Sequence, residues 1–332
     1  MRSEAEVTAI MQGGHAPEDL LADPDRLLAE RDRIVAGGEH LHGPEIAARL
    51  GVPEAAVMAS RVGRDALRLD VNLPSLIAPL VDWSKVLVAI RSAYGVALAI
   101  GRFAYAGATG SRVHARSAEH RVDVDAAAAC AVFLLREEDM HGKSVSLNAF
   151  DAAGDALLRI YLMSKDGRDR AVPHLESFVA RDGSRLWCPS LQTGCNRVPE
   201  MPTSPRAPQT EERARAALRR AVLALPQAPT LGVCIETPVA QLVSTASFAQ
   251  SSGDGDAVHA SCSALKLHLR SRAAAWLFES DATYGLALCI RAQNGDLFRL
   301  AAASAEDAAR FDRWRGEIVA ACHPQSPPEE AP

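Results

Sequence analysis

Residue types that could bind metals or contact nucleic acid occur in this 332-residue sequence, but their spacing favours structural roles. Cys188 and Cys195 lie seven positions apart, whereas paired zinc ligands are usually separated by roughly two to four residues, so a loop with two thiols is favoured over a metal site. Arg61 and Arg64 end the second helix of a helix-turn-helix outline, on a chain with net charge -5. Because DNA-reading helices carry several long polar side chains on one face, we expect no nucleic-acid partner and interpret the helices as packing against a sheet.

Two histidines occupy equivalent places in an internal repeat. An offset of 145 residues places the Val-His-Ala tripeptide around His114 on the one around His259, and Phe103 on Phe248. A shared tripeptide in the same order as other matches indicates two diverged copies of one module. We therefore interpret the two histidines as symmetry mates, for which a shared structural role, such as a buried hydrogen-bonded ring, is favoured over ligand binding.

Composition excludes several broad classes. With 48% hydrophobic and 23% charged residues, the chain is typical of a soluble globular protein, and its length fits two domains. No apolar run reaches membrane-spanning length, so no membrane span is expected. The seven cysteines are scattered, which favours reduced thiols and a cytoplasmic location. The absence of a P-loop, a dinucleotide fingerprint, a zinc-protease helix or a nucleophile elbow argues against nucleotide enzymes and ordinary hydrolases.

Local patterns predict the elements that would position any site. A helix over 17–36 precedes two short helices. Pro44 is predicted to begin the first of these and Gly51 to end it, and Pro53 is predicted to begin the second. Alternating runs predict strands from Val86 onward.

Later elements are predicted in the same way. A hairpin is expected to turn at Gly154, and a short helix is expected over 174–180. In the second module we expect a helix capped by Thr210 and a final helix with one apolar face. That face contains Phe311, Trp314, Ile318 and Val319.

The repeat and the composition predict four segments. A first module with its leading helices spans 1–180, a proline-rich linker spans 181–209, a second module spans 210–322, and a tail that is disordered by composition spans 323–332.

A family resemblance extends over most of this order. The stretches EIAARLGVPEAAVMASRV, IRSAYGVALAIGRF and GDALLRIY, followed by LKLHLR, NGDLFRL and FDRWRGEIV, resemble the bacterial HemS-type haem-utilisation proteins, also called hemin-degrading factors. The resemblance covers about residues 28–180 and 229–320. It implies an α+β fold of two tandem structural repeats, each a large antiparallel sheet flanked by helices, with haem bound where the halves meet. It also implies a cytoplasmic role in iron supply, with haem-importer components or a reductase as partners.

The requirements of a haem site can be stated independently of the family. Haem needs an apolar slot, basic groups for two propionates, and at least one axial ligand, usually His or Tyr. The resemblance places Arg102 at a basic position facing the haem, with a solvated strand arginine as the alternative. Arg91 and Tyr94 also match the family pattern, although either could finish a sheet edge, and Tyr161 matches a strand end, with a half-buried sheet aromatic as its alternative.

Other family positions have lost their side chains. The axial histidine of the family is expected on a helix between the halves, yet this chain has no histidine between His174 and His259. The strand expected to supply Tyr, Gln and Arg reads Ala-Ala-Ala-Ser at 301–304, and Ser280 replaces a basic residue. The substitute ligands are His174, nearest to the missing helix, and His268, which strand alternation could direct to either face.

Two hypotheses of function follow. The first is a haem-binding protein of haem and iron utilisation that carries or degrades imported haem, with an external reductant needed for degradation. The second is a degenerate paralogue that keeps the fold, has lost the haem site and acts as a binding or regulatory partner, because a fold does not transmit function without its site.

Overall fold

A computed structural model describes residues 15–38, 41–139, 142–181, 183–186 and 211–322. Most of the predicted linker with Cys188 and Cys195, the predicted cap Thr210 and the predicted tail lie outside these residues. The helices are α1 Pro17–Ala22, α2 Pro24–Ala36, α3 Gly43–Leu50, α4 Glu54–Ser60, α5 Leu73–Ile77, α6 Lys165–Glu176, α7 Glu211–Leu223 and α8 Ala305–Ala321.

Antiparallel strands make up most of the rest of the described chain. The first nine are β1 Ala66–Leu69, β2 Val86–Ser92, β3 Gly95–Gly101, β4 Tyr105–Thr109, β5 Arg112–Arg116, β6 His120–Asp125, β7 Ala131–Asp139, β8 Gly142–Phe150 and β9 Ala156–Leu162. The others are β10 Leu231–Glu236, β11 Ala240–Ala246, β12 Gln250–Asp254, β13 Ala257–Ser261, β14 Leu265–Arg270, β15 Ala274–Ala282, β16 Gly285–Ala292 and β17 Leu297–Ala302.

The chain divides into two compact units that do not follow its linear order. Unit 1 consists of Met1–Val86 and Asp125–Gly194, and unit 2 consists of Leu87–Val124 and Cys195–Pro332. The predicted boundaries follow the repeat, whereas residues 87–124 of the first module, which contain nearly all of strands β2 to β6, belong to unit 2.

Unit 1 combines the leading helices with strands in the order β1-β7-β8-β9. Its core joins apolar side chains of α1 to α4 to those of β7 and β8, including Phe133 and Phe150, whose rings meet edge to face at 5.8 Å. All seven residues of α4 are buried. Both arginines near its end are in ion pairs, Arg61 with Asp65 and Arg64 with Asp32. The second helix of the helix-turn-helix outline is therefore a packing element.

The helix predicted over 174–180 is wrong in its position. Helix α6 begins after its cap Ser164, whose side chain accepts a hydrogen bond from the Gly167 amide at 3.0 Å, and ends at Glu176. A glycine and an internal proline, Pro173, hide this helix from propensity arguments. Gly167 is required by packing, because a Cβ there would lie 2.2 Å from the carbonyl oxygen of Trp83.

Other local predictions are confirmed. Pro53 caps α4 and Gly51 ends α3, while β8 and β9 form the hairpin that turns at Gly154. Ala126–Ala128 form a short 3-10 turn between β6 and β7.

Unit 2 contains two runs of neighbouring strands. Their orders are β2-β3-β14-β13-β12 and β15-β16-β17-β10-β11-β6-β5-β4. Helix α7 packs against β12, β13 and β15, and α8 packs against β16 and β17. Three of the four residues predicted on the apolar face of α8, Phe311, Trp314 and Ile318, are buried, and the fourth, Val319, is half-buried. None of the described helices has the length and apolar composition needed to cross a membrane.

A buried ion pair in unit 1 provides a test of its packing. Glu54 on α4 is 6% exposed and contacts Arg159 on β9. Glu54→Gln leaves the arginine charge buried without its counter-charge, so we expect the free energy of unfolding to fall by roughly 3–5 kcal/mol in urea denaturation.

The matched control is Asp166→Asn on α6. Its partner Arg170 lies 3.2 Å away, and the two side chains are 61% and 58% exposed. The expected change is at most about 0.5 kcal/mol. Equal effects of the two substitutions would contradict a stabilising role for the buried pair.

Candidate functional site

The five predicted ligand-contacting residues fall in both compact units. Arg91 on β2, Arg102 after β3 and His268 on β14 belong to unit 2. Tyr161 on β9 and His174 on α6 belong to unit 1.

Strand β14 presents its polar side chains on one exposed face. Burial alternates strictly along it, with leucines inside and the polar residues outside. Residues directly opposite each other on antiparallel strands project to the same face. We call this surface the histidine face. Its members are Lys266, His268 and Arg270 of β14, His259 of β13, and Val96 and Leu98 of β3.

Two imidazole rings meet at the centre of the histidine face. His259 and His268 are direct register partners. Their Nδ1 atoms lie 2.9 Å apart, and the ring centroids are 5.0 Å apart with the planes at 64°. This distance is a hydrogen bond when one Nδ1 is protonated and the other accepts. The structure thus shows a hydrogen-bonded ring at His259, although this pair is exposed and not buried as the symmetry argument predicts.

A glycine turn allows β3 to pair with β14 at this point. Gly95 has φ 133°, and a Cβ there would lie 2.2 Å from the carbonyl oxygen of His268. The Arg270 amide donates to the carbonyl oxygen of Tyr94 at 2.5 Å. Any larger residue at position 95 would therefore push β3 away from the strand that carries the histidine.

Tyr94 is an anchor of this turn. Its buried hydroxyl donates to the carbonyl oxygens of Ile290, at 2.8 Å, and Asp296, at 3.3 Å. The Asp296 carboxylate accepts the Ala93 amide at 2.5 Å. Burial raises the pKa values of Tyr94 and of Asp296, and the nearby Asp296 charge adds to the rise at Tyr94. Tyr94 therefore has a structural role in the turn, as its sheet-edge alternative suggested.

The register separates the two predicted residues Arg102 and His268. His268 lies opposite Val96, and Arg102 follows six residues later along the chain, which corresponds to about 20 Å of extended strand. Arg102 is exposed. Lys266 and Arg270 are only about 7 Å from His268 along β14 on the same face. Lys266 and Arg270 are not among the predicted site residues, although the period-two pattern of LKLHLR places them on the same face as His268.

The unit 1 candidates have contacts of their own. His174 Nε2 lies 3.1 Å from the carbonyl oxygen of Ser75, and its ring meets Phe178 edge to face at 5.2 Å. Tyr161 is half-buried opposite Ser146.

The first repeat contains a counterpart of the histidine pair. His114 Nδ1 contacts the carboxylate of Asp123, which also accepts a hydrogen bond from Arg121 Nε at 2.5 Å. Burial would raise the pKa of Asp123, but the hydrogen bonds from His114 and Arg121 outweigh it and the pKa falls. The 145-residue offset that matches His114 to His259 also matches Asp123 to His268.

The replaced family positions have local structural contacts. The Ser280 hydroxyl lies 3.2 Å from the Cys289 sulfur. Ala301 and Ala302 end β17, and Ser304 caps α8 by accepting a hydrogen bond from the Asp307 amide at 3.2 Å. Among the described residues there is no group of three or more His, Cys, Asp or Glu side chains able to hold a metal ion.

Part of the chain matches a known protein-family model. Residues 51–178 match the haemin-degrading HemS.ChuX domain. The hemin transport protein HmuS of Yersinia pestis is 29% identical over 165 residues, which cover 48% of this chain and 47% of that protein. The chain spans about half the length of the curated relatives it matches.

Solved structures share the fold at low identity. The heme-degrading enzyme ChuS of Escherichia coli O157:H7 superposes with TM-score 0.72 and 16% identity, covering 90% of this chain and 100% of that one. Apo-PhuS, a heme-binding protein from Pseudomonas aeruginosa, superposes with TM-score 0.68 and 18% identity, covering 90% and 99%. These matches confirm the predicted α+β class with large antiparallel sheets. The domain match, the relative and the shared folds support the HemS-type haem-utilisation family for this chain.

Tyr94→Phe tests the anchoring role of the tyrosine. The substitution removes a buried hydroxyl and leaves two carbonyl oxygens without that donor, so stability should fall by about 1–3 kcal/mol in urea denaturation. Tyr105→Phe is the matched control, because Tyr105 is 51% exposed. An unchanged stability in Tyr94→Phe would contradict the anchor.

His120 predicts a pH dependence of stability. It is 3% exposed, its Nδ1 lies 2.9 Å from the Ser244 hydroxyl, and burial lowers its pKa. Because the unfolded chain takes up this proton near pH 6.5, the stabilising contribution is complete above that pH and is lost as pH falls through the lower folded pKa. Denaturation of His120→Gln at pH 7.5 and 5.5 should show a smaller loss on acidification than the unsubstituted protein. Asp123, whose pKa is lowered, contributes only at more acidic pH. Equal losses in the two proteins would contradict this role of His120.

Proposed function

We propose that this protein binds haem on the histidine face of unit 2 and acts in haem and iron utilisation. The observation that carries the proposal is the alternation of β14, which exposes His268 between Lys266 and Arg270. An imidazole and two cations on one strand face are the groups that an iron porphyrin with two carboxylates requires.

The donor set on this face fits the chemistry of haem. The His259–His268 pair supplies an imidazole whose ring is held by a hydrogen bond, as is usual for histidines that bind metals. Lys266 and Arg270 supply charge-assisted hydrogen bonds to carboxylates. Val96 and Leu98 are half-buried on the neighbouring strand and offer apolar contact beside the rings.

The family context supports carriage or breakdown of haem. The relatives are described as a hemin transport protein, a heme-binding protein and a heme-degrading enzyme. Bound haem would supply a redox-active iron, and the electrons for its breakdown would come from an external reductant. Haem-importer components and a reductase are accordingly the proposed partners.

We propose the cytoplasm as its location. Five cysteines within the described ranges are free thiols, as expected in a reducing compartment. They are Cys130, Cys234, Cys262, Cys289 and Cys322.

One observation favours the second hypothesis, a degenerate paralogue that acts as a binding or regulatory partner. The residues at 301–304 end a strand and cap a helix, and they have no side chain able to bind iron. The fold could thus persist without a haem site.

Titration with hemin, followed by visible absorption, separates these functions. We expect a sharp Soret band that saturates at one equivalent. His268→Ala should weaken binding at least about tenfold and shift the band, because an iron ligand is lost. His174→Ala is the matched histidine control and should leave both unchanged. Weak, broad and unsaturable binding would instead support the degenerate paralogue.

Substitution of a basic residue tests where the two carboxylates of haem bind. Lys266→Ala should weaken hemin binding by about ten- to a hundredfold, corresponding to loss of one charge-assisted hydrogen bond, whereas Lys165→Ala on α6 should not. Arg102→Ala tests whether haem binds near the end of β3 that carries Arg102 or near the end that lies opposite His268. If it weakens binding while His268→Ala does not, the porphyrin lies away from the histidine face and the proposed placement is wrong.

A further inference from the structure

We propose that His259 and His268 form a two-imidazole site for a divalent transition-metal ion of the copper, nickel or zinc class. This inference does not depend on haem binding. It rests on the geometry of the pair and on its comparison with the equivalent pair in the first repeat.

The distance between the ring nitrogens suits a shared metal ion. The two Nδ1 atoms lie 2.9 Å apart and face each other, with the ring centroids 5.0 Å apart. Imidazole nitrogens bind such ions at about 2.0–2.1 Å, so nitrogens separated by 2.9 Å subtend roughly 90° at the metal. This is the angle between adjacent ligands of a tetragonal ion, and a small opening of the rings reaches the tetrahedral angle.

The strand backbone holds the two histidines next to each other. His259 and His268 are direct partners in the β13–β14 ladder, and each is flanked by residues buried on the opposite face. Those flanking residues are Val258, Ala260, Leu267 and Leu269. The ladder fixes the two backbone positions, so a metal ion would replace the hydrogen bond after rotation of the side chains alone, which limits the entropy lost on binding.

The repeat shows how such a site could arise. At the equivalent position of the first repeat, the partner of His114 is Asp123, which is buried and already occupied by Arg121. In the second repeat the carboxylate is replaced by an imidazole, and His268 lies exposed. The same strand geometry thus changes from a carboxylate-held ring to two nitrogen donors.

The surroundings restrict the choice of metal. Two nitrogen donors favour copper most, then nickel and zinc, over the oxygen-seeking calcium and magnesium. Because the described residues include no cluster with a third such ligand, water would complete the coordination sphere. Lys266 and Arg270 flank His268 on the same strand and their positive charges reduce the affinity for a cation. Ser252 lies opposite His259 and is neutral.

The test uses the full chain, freed of metal and without haem, titrated with Cu²⁺ and then with Zn²⁺. Calorimetry measures stoichiometry and affinity, and electron paramagnetic resonance of the Cu²⁺ form reports the number of bound nitrogens. We expect one equivalent whose spectrum contains two equatorial nitrogens, and excess Zn²⁺ should displace the copper signal.

Three variants decide the assignment. His268→Asp recreates the pair of the first repeat and should remove one nitrogen from the spectrum and weaken Cu²⁺ binding at least about tenfold. His259→Ala should have a similar effect on affinity, and the control His174→Gln should have none. Circular dichroism verifies that each variant is folded. Unchanged affinity and an unchanged spectrum in both variants of the pair would overturn the proposal.

The result is separable from that of hemin titration. Copper binding without a saturating Soret band would refute haem binding and leave the metal site intact, and the reverse result would refute the metal site alone.

Discussion

The chemistry of the proposed site depends on which side of strand β14 is buried. Leu265, Leu267 and Leu269 are fully buried, and their burial forces the residues between them onto the exposed face. A slip of one residue would exchange the two sets and would place three leucines in solvent. Burial of a leucine contributes about 1.5–3 kcal/mol, so the apolar side of β14 is what positions its polar side.

Register between strands is fixed by a polar anchor rather than by apolar packing alone. The turn at Tyr94 and Gly95 is tied to the β16–β17 turn through the buried tyrosine hydroxyl and the Asp296 carboxylate. Such groups are tolerated in a core only when they are hydrogen-bonded, which makes their geometry specific. The glycine then brings β3 close enough to place Val96 opposite His268. An error in the turn would therefore move the neighbours of the histidine as well as the turn itself.

Local structure was more predictable from the sequence than the site. The helix stops and starts at Gly51 and Pro53 and the hairpin at Gly154 depend on nearby residues, and the structure contains them. Helix α6 was misplaced because Gly167 is there for a close approach to Trp83, a tertiary reason that local propensity does not contain. The alternating pattern of β14 does not by itself predict whether His268 is buried or exposed, because that depends on which side of the strand packs against the rest of the protein. The wide separation of Arg102 from His268 depends on the β3–β14 register, which joins strands from different repeats.

The duplicated pairs show why the family resemblance is stronger in the fold than in the site. His114 with Asp123 and His259 with His268 occupy equivalent positions, yet one pair is a buried charge-assisted contact and the other is an exposed pair of imidazoles. The pair in the second repeat lies on the exposed side of β14, whose buried leucines contribute the apolar packing of that strand. A change of side chain on the exposed side of β14 therefore leaves its leucines buried. At 301–304 the residues end a strand and cap a helix, and their side chains are alanines and a serine. The shared fold determines where this strand face lies in unit 2. Which ligand the face can bind depends on the side chains and charges that this chain places there.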